Sequence, residues 1–348
     1  MKKLPRTLIA LLVLSGTSLL AEVPESRLPR AQYKSGASVR AAFREVVQSP
    51  RHSTVRVFCD GKPAALGVIV DADGGILTKA SQLSGTIVCR LSDDREFDAR
   101  IAGVEEKLDL ALLRINAQSL RVIEWDQANP DVGQWLVTPG IEDVPVAVGV
   151  VSVRSRTLPE QRGVLGVAIE SAKEGPRVTR VFSQSPAEKS GLKVGDIIRR
   201  VAGMKTSTEE TLVDAIGRHQ PGEKIELEFA RGDATEQIQI TLDHAPPEML
   251  SRSGFMNHLG GRLSRRRSGF PPVLQHDTVI SPEECGGPVV GLAGKAIGIN
   301  VARAGRTETY ALPVATILPV LAELKSGKLA PLKPAESEKA ELPVSQAK

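Results

Sequence analysis

A cysteine followed at once by two glycines and a proline lies near the end of the chain, in the stretch SPEECGGPVV, residues 281–290. Two glycines and a proline after a nucleophilic side chain indicate a backbone that is bent to expose that side chain. A thiolate is more nucleophilic than an alcohol, and a free thiol is already a few per cent ionised at neutral pH. Cys285 is therefore a candidate nucleophile for covalent catalysis.

The elements that must position this cysteine are short strands. Aromatic residues make up only 3% of the chain, whereas glycine and proline number 31 and 23, a composition that favours short strands joined by tight turns. An amphipathic helix is predicted at 36–50, and strand-like runs between 54 and 115 predict a closed antiparallel barrel. Similar runs continue at 135–155 and resume at 295–313.

A different unit, from about 163 to 243, separates the two groups of strands. The stretch SPAEKSGL, 185–192, has serine as an N-cap, proline in the first turn and glycine at the end, which predicts a short helix. A second helix is predicted in TEETLVDAIGRH, 208–219, and strands surround both helices. The pattern predicts an α+β domain that folds on its own.

Four segments, in this order, resemble the HtrA/Deg-like serine proteases: GGILTKASQL, LDLALLRI, VGQWLVTPG and VLQHDTVISPEECGGPVVGLAGKAIGIN. These proteases have a trypsin fold and commonly carry a PDZ domain, which RGVLGVAI and SPAEKSGLKVGDIIRRVAG resemble. The resemblance covers about 36–327. It implies a mainly β fold: a trypsin-like double six-stranded antiparallel β-barrel with an inserted α+β PDZ domain.

This resemblance, together with composition, divides the chain into five parts. They are a signal peptide at 1–21, a split protease domain at 36–158 and 268–327, an inserted PDZ domain at 160–243, an arginine-rich linker at 244–267 and a disordered tail at 328–348.

The chemistry of the family needs a hydroxyl nucleophile, a histidine base and an orienting aspartate. By resemblance, Asp109 matches the aspartate, Ser81 stands in place of the histidine, and Cys285 replaces the serine. Glu283 replaces the glycine whose N–H helps to form the oxyanion hole, and with Glu284 it is expected to raise the pKa of the thiol. The predicted site is degenerate, with Asp109 bonded to Ser81 in a structural role.

Five histidines are candidates for a substitute base: His52, His219, His244, His258 and His276. Only His258, in the linker, is retained as an improvised base, because a base must come within hydrogen-bond reach of its proton. No pair of these histidines has the spacing of metal ligands, so neither a metal nor a cofactor is predicted.

Two further cysteines, Cys59 and Cys89, are each predicted on the apolar face of a strand. An exported protein lives where disulfides persist, so a Cys59–Cys89 bridge is one hypothesis. Two packed free thiols are the alternative.

The resemblance to a PDZ domain also implies a peptide site. A ligand carboxylate would be held by backbone N–H groups of four consecutive residues, Val164, Leu165, Gly166 and Val167. Leu212 and Ile216, one helical turn apart, would wall a pocket for an apolar last residue. The alternative is that these two residues are core.

The first residues predict export. Lys2, Lys3 and Arg6 precede an apolar run at 8–20, the pattern of a secretory signal cleaved after Ala21 or kept as an anchor. The expected location is periplasmic or otherwise extracytoplasmic. Without the three basic residues the charges are 42 basic against 41 acidic, from 45 and 41 in the whole chain, which favours neither nucleic acid nor a membrane surface as partner.

One local exception is the stretch 251–276, which contains five arginines and no acidic residue before Asp277. A solvated loop is the simpler interpretation. A contact with an anion or an acidic peptide is the alternative, and it predicts binding that weakens with salt.

The function predicted from these residues is that of an exported, catalytically inactive HtrA-like homologue. It would bind polypeptides or protein C-termini through the PDZ domain, as an adaptor, a chaperone-like factor or a regulator of an active protease relative in protein quality control. One alternative is an active endopeptidase with Cys285 as nucleophile. Another is a structural scaffold in an oligomer, and homo-oligomerisation stays open.

Overall fold

A computed structural model describes residues 29–329 of the chain. The predicted signal peptide at 1–21 and all but two residues of the predicted tail at 328–348 lie outside this range. Within it, no helix is long and apolar enough to cross a bilayer.

The first barrel closes in the strand order β1-β2-β3-β6-β5-β4, with every neighbouring pair antiparallel. Apolar residues alternate into its core from β1, where Val55 and Val57 are fully buried. Two short helices precede it. The elements are α1 (Ala37–Ala42), α2 (Arg44–Val47), β1 (Thr54–Cys59), β2 (Lys62–Asp71), β3 (Gly75–Lys79), β4 (Ile87–Arg90), β5 (Glu96–Glu105) and β6 (Leu110–Ile115).

The second barrel closes in the order β15-β18-β17-β16-β7-β8, so it is assembled from two separate parts of the chain. One apolar cluster is shared by both barrels and includes Leu110 from the first and Val301 from the second. The strands are β7 (Trp135–Thr138), β8 (Ala147–Arg156), β15 (Val273–His276), β16 (Pro288–Val290), β17 (Ala296–Gly305) and β18 (Glu308–Pro313).

The chain between β8 and β15 contains the α+β unit, whose sheet has the order β14-β13-β11-β10-β9 with β12 paired to β11. Both predicted helices are present. Ser185 accepts from the Glu188 amide, as expected, and Thr208 forms a capping box with Thr211 that was not predicted. The predicted fold class is confirmed. The elements are β9 (Val167–Ala172), β10 (Gly175–Val181), α3 (Pro186–Lys189), β11 (Ile197–Val201), β12 (Met204–Lys205), α4 (Glu209–Gly217), β13 (Lys224–Arg231) and β14 (Ala234–Thr241).

Two helices were not predicted. Helix α5 (Arg252–His258) lies within the arginine-rich linker, with Ser251 as its N-cap. Helix α6 (Val314–Ser326) follows β18 and packs against β5 and β6 of the first barrel as well as β17 of the second. It therefore joins the two barrels behind the cleft in which the triad positions lie.

Candidate functional site

Two of the three triad positions meet at the edge of the first barrel. Ser81 lies in a 3-10 turn that follows β3, and Asp109 directly precedes β6 with φ +57, a left-handed conformation that aspartate tolerates better than most residues. The Asp109 carboxylate accepts hydrogen bonds from the Ser81 amide at 2.7 Å and the Ser81 hydroxyl at 2.8 Å. The predicted hydrogen bond is present, and the hydroxyl is committed to a carboxylate.

Lys79 is a third polar residue at this place, and sequence reasoning gave it no role. Its side chain is fully buried, donates to the Val301 carbonyl at 2.6 Å and lies 3.6 Å from the Asp109 carboxylate. Val301 belongs to the second barrel, so this ammonium group links the two barrels. The signal in the sequence is a lysine at the end of an otherwise apolar strand, because a buried charge requires a partner.

Cys285, the third triad position, is completely buried. Its thiol lies 3.9 Å from the Ser264 hydroxyl and donates to the Ser281 carbonyl at 3.8 Å, and it packs with Ala147 and Ile280. The two glycines that follow do not expose this side chain. The expectation of an exposed nucleophile is therefore wrong.

The pKa of the Cys285 thiol is raised, chiefly because burial disfavours the thiolate. Glu284 adds only a small contribution in the same direction, and Glu283 forms an ion pair with Arg262 instead. The predicted direction is present, but its main cause is burial and not the two neighbouring carboxylates.

At the oxyanion position one of the two backbone donors, the amide of Cys285, is used within the chain. Residues Pro282–Glu284 form a 3-10 turn in which the Cys285 amide donates to the Pro282 carbonyl at 3.2 Å. Glu283, which replaces the glycine of the family, does not adopt a positive φ. An amide that is bonded within its own turn cannot also stabilise a developing oxyanion.

The strand edge beside Cys285 is occupied as well. β16 pairs with β17 only along Ala296–Ile299, so no strand lies beside the rest of that edge of β17. A peptide could add there as a strand if the edge were free. There the Val301 carbonyl bonds to Lys79, and the amide and carbonyl of Arg303 bond to the Ser264 hydroxyl and amide, both at 2.9 Å. The linker thus fills the place where a polypeptide could add as a strand.

Side chains on both barrels hold the linker in this position. From the second barrel, the buried guanidinium of Arg303 donates to the Gly260 carbonyl at 2.6 Å. Toward the first barrel, Arg266 donates to the carbonyl oxygens of Glu106 and Lys107. We call the region around Ser81, Asp109 and Cys285 the barrel cleft, and it is spanned by the linker.

The histidines lie elsewhere. The ring of His258 donates to the Gly254 carbonyl at 2.9 Å, and it is not a hydrogen-bond partner of Cys285 within the described range. The improvised base is therefore not assembled. Of the other four, His52 is hydrogen-bonded to Ser92, His219 to Glu223 and His244 to Gln161. His276 is hydrogen-bonded to both Asn300 and Thr278.

His276 is the one histidine in the core of the second barrel. It is completely buried between Asn300, 2.9 Å from Nε2, and Thr278, 2.7 Å from Nδ1. Burial lowers the pKa of His276 to about 4, although the hydrogen bond to Asn300 partly opposes this effect. It is therefore neutral at physiological pH.

Cys59 and Cys89 are buried free thiols, so the hypothesised disulfide is not formed in this structure. Cys89 lies opposite Val57 and Cys59 opposite Ile87, so the two cysteines are diagonal neighbours on adjacent strands. Burial, with a smaller contribution from Cys59, raises the pKa of Cys89 to about 12. The alternative of two packed thiols describes the structure.

A second candidate site lies on the α+β unit. β9 is the terminal strand of its sheet, and α4 packs against β9 and β10. We call the space between β9 and α4 the peptide groove. A terminal strand offers unpaired backbone groups to an incoming peptide, the arrangement used in β-strand addition.

The residues that enter β9 leave backbone donors free. The Val164 amide donates to the Asp243 carbonyl at 2.9 Å. The Leu165 carbonyl accepts from the Ala187 amide at 2.9 Å, and the Gly166 carbonyl accepts from the Phe182 amide at 3.0 Å. The amides of Leu165 and Gly166 donate to no acceptor within residues 29–329. Gly166 has φ +77, and consecutive free amides beside such a residue form an anion-binding concavity.

The apolar side chains around the groove divide into core and wall. Leu212 is 1% exposed and belongs to the core of the unit, as the alternative interpretation held. Ile216, Val167 and Ile169 are half-buried at the margin of that core. These three can contact the side chains of a bound peptide, whereas Leu212 supports them from beneath.

Comparison with known proteins identifies residues 163–242 as a PDZ domain. A protein of Ectopseudomonas mendocina (strain ymp), named "Probable periplasmic serine endoprotease DegP-like", is 23% identical over 316 residues, which cover 66% of this chain and 66% of the relative. A protein of the same name from Marinomonas sp. (strain MWYL1) is 25% identical over 277 residues, which cover 54% and 59%. The chain thus spans just under two thirds of the length of these curated relatives.

Among solved structures, the serine endoprotease from Yersinia pestis aligns with 57% of this chain and 97% of its own, at 20% identity and a TM-score of 0.29. The HtrA-type protease AlgW with decapeptide aligns with 59% and 99%, at 16% identity and a TM-score of 0.28.

Proposed function

We propose that this chain, an HtrA-like protein with trypsin-fold barrels and a PDZ domain, does not cleave peptides and instead binds polypeptides or protein C-termini in the peptide groove. The observation that carries this proposal is a contrast between backbone donors. The Cys285 amide is bonded within its own turn, whereas the amides of Leu165 and Gly166 are unused. An oxyanion needs two converging N–H groups, and the Cys285 amide is already used, whereas a terminal carboxylate would meet two consecutive free amides.

Two further features of the barrel cleft oppose hydrolysis, in addition to the oxyanion donor that is already used. Ser81 replaces the general base, and a hydroxyl cannot accept a proton usefully near neutral pH. Cys285 is buried with a raised pKa, so little thiolate forms. Losing an oxyanion donor alone typically lowers the rate by about a hundred- to a thousandfold.

We place the protein outside the cytoplasm, in the periplasm, because its N-terminus has the pattern of a secretory signal and the relatives are named periplasmic endoproteases. An inactive PDZ protein in that compartment acts on protein quality control by holding polypeptides, as an adaptor, a chaperone-like factor or a regulator of an active relative. The regulatory role would require a stable association with an active protease relative.

Hydrolysis is tested with casein as an unfolded substrate, incubated with the purified chain and with its Cys285→Ala variant. We expect neither to release peptides above a blank that contains no enzyme. Cleavage by the parent chain that disappears in the variant would contradict the proposal and establish Cys285 as a nucleophile.

Binding is tested with fluorescent peptides that end in an apolar residue, each prepared with a free and with an amidated C-terminus. Fluorescence anisotropy is expected to show binding of the free form and a loss of at least tenfold in affinity on amidation, because the charged hydrogen bonds at the carboxylate disappear. Absence of binding by every free peptide would instead favour a scaffold.

A further inference from the structure

Two clefts flank the linker where it crosses between the barrels and the PDZ domain, and they differ in charge. The first, of about 540 Å³, has an even mixture of acidic and basic side chains, from Glu106, Lys107, Glu160, Glu223, Arg265 and Arg266. The second, of about 800 Å³, contains four permanent cations and one acid, Asp243. We call the second the cationic cleft; its basic lining is Lys189, His244, His258, Arg262, Arg265 and Arg267.

The cations of this cleft are incompletely neutralised. Arg262 is paired with Glu283, and Lys189 lies 4.0 Å from Asp243. Arg267 donates only to a carbonyl oxygen, that of Ser264, at 3.1 Å. The guanidinium group of Arg265 forms neither a hydrogen bond nor an ion pair within the described part of the chain.

Burial and a neighbouring cation both act on the charged groups of this cleft. The pKa of Arg267 is lowered by burial, which Asp243 partly opposes. The pKa of His244 is lowered by burial and then by the positive charge of the neighbouring Arg267. A bound anion would relieve this, because opposite charge stabilises the charged form.

We propose that the cationic cleft binds an acidic segment of a polypeptide, with Arg265 as the principal contact. Guanidinium groups bind carboxylates with two parallel hydrogen bonds, and several of them favour a run of aspartate or glutamate. Among the described residues, the lining of the cleft contains no phenylalanine, tyrosine or tryptophan on which a base could stack, which disfavours single-stranded nucleic acid.

The position of the cleft also favours a polypeptide. Its wall includes Gln184, Lys189 and Asp243, which flank the loop at which β9 begins, since Gly166 packs against Ser185. One extended ligand can therefore reach both the cationic cleft and the PDZ domain. The inference does not depend on the peptide groove, because an internal acidic segment has no need of a free C-terminus.

The test uses the full chain and a fluorescein-labelled hexaglutamate peptide with an amidated C-terminus, which cannot place a terminal carboxylate in the groove. Anisotropy is expected to report binding that weakens as salt rises. Arg265→Gln should reduce the affinity about tenfold, the usual size of a lost charged hydrogen bond. Arg265 is exposed and unpartnered, so this variant is expected to fold like the parent by circular dichroism.

The matched control is Arg266→Gln, which removes the same charge from the neighbouring residue, because Arg266 lines the mixed cleft only, whereas Arg265 lines both clefts. Its effect on hexaglutamate should be less than twofold. Equal losses in the two variants would overturn the inference, because they would show a non-specific field. No binding of hexaglutamate, or equal affinity for a thymidine oligonucleotide, would also overturn it.

Discussion

The barrel cleft and the peptide groove are both places where a trypsin-fold protein with a PDZ domain can meet a polypeptide, and they are in opposite states. In the barrel cleft the amide of Cys285 is bonded within the chain, and the linker covers the open edge of β17. In the peptide groove the amides of Leu165 and Gly166 stay free beside a terminal strand. Which site binds a ligand is thus decided by hydrogen bonds that the protein has already formed with itself.

The largest expected effect concerns the buried ammonium group of Lys79, which links the two barrels. Lys79→Met should lower the free energy of unfolding by about 3–5 kcal/mol, because it leaves the Asp109 carboxylate buried without its cation. Urea denaturation measures the change. Adding Asp109→Asn should recover most of the loss, since the uncompensated charge is then removed.

Arg154→Met is the control for this comparison, because Arg154 forms an exposed ion pair with Asp131. It should cost less than about 1 kcal/mol. If Lys79→Met were as mild as this control, the buried lysine would not be what holds the two barrels together at the barrel cleft.

The second prediction concerns the loss of stability in acid, which should arise in the second barrel and not in the PDZ domain. His276 is neutral when folded, with a pKa of about 4, whereas the unfolded residue titrates near 6.5. The unfolded chain therefore binds the extra proton, and stability is complete above pH 6.5 and falls as pH decreases toward 4. The lowered pKa corresponds to a loss of about 3 kcal/mol in the free energy of unfolding as the pH falls, and urea denaturation between pH 7 and 4 measures this loss.

His276→Gln removes the titrating group while it keeps the capacity for hydrogen bonds, so the fall in stability with acid should be about 3 kcal/mol smaller than in the parent chain. An equal fall in both proteins would show that other groups control acid stability. The transition should belong to the second barrel, whose core contains His276, and not to the PDZ domain.

The third prediction displaces the free backbone donors of the peptide groove. A Cβ at Gly166 would lie 2.3 Å from the Cβ of Ser185, and the residue has φ +77. Gly166→Ala should therefore shift the loop and reduce affinity for a free C-terminal peptide at least tenfold, by anisotropy. Val194→Ala, at an exposed position of the same domain, should leave the affinity unchanged.

The parts of the molecule that depend on local pattern could be predicted from the sequence. Strand-like runs predicted the first barrel, and the family resemblance implied the second. Capping residues predicted α3, and the triad positions given by the resemblance predicted the hydrogen bond between Ser81 and Asp109. These features depend on residues that are near in sequence, or on residue types that have few ways to be satisfied.

The parts that were missed depend on tertiary register. Ser264 reaches Arg303 across 39 residues, and nothing local in either segment indicates that the linker covers β17. Cys59 and Cys89 were placed correctly on buried faces, but the pairing of Val57 with Cys89 sets them on the diagonal. Lys79 was overlooked because a lysine at a strand end usually lies in solvent.

The smallest expected effect is also the sharpest test of the comparison. Restoring the residues of the family with Ser81→His and Cys285→Ser together should yield no measurable cleavage of casein. The added histidine and hydroxyl do not free the amide that is bonded to Pro282, nor do they remove Ser264 from the edge of β17. If the double variant did cleave casein, the barrel cleft would lack only side chains, and its closed backbone would not be a barrier. If it stays inactive, a further Ser264→Pro exchange, which removes both the hydroxyl and the amide that bond to Arg303, should allow peptide binding at that edge before any catalysis appears.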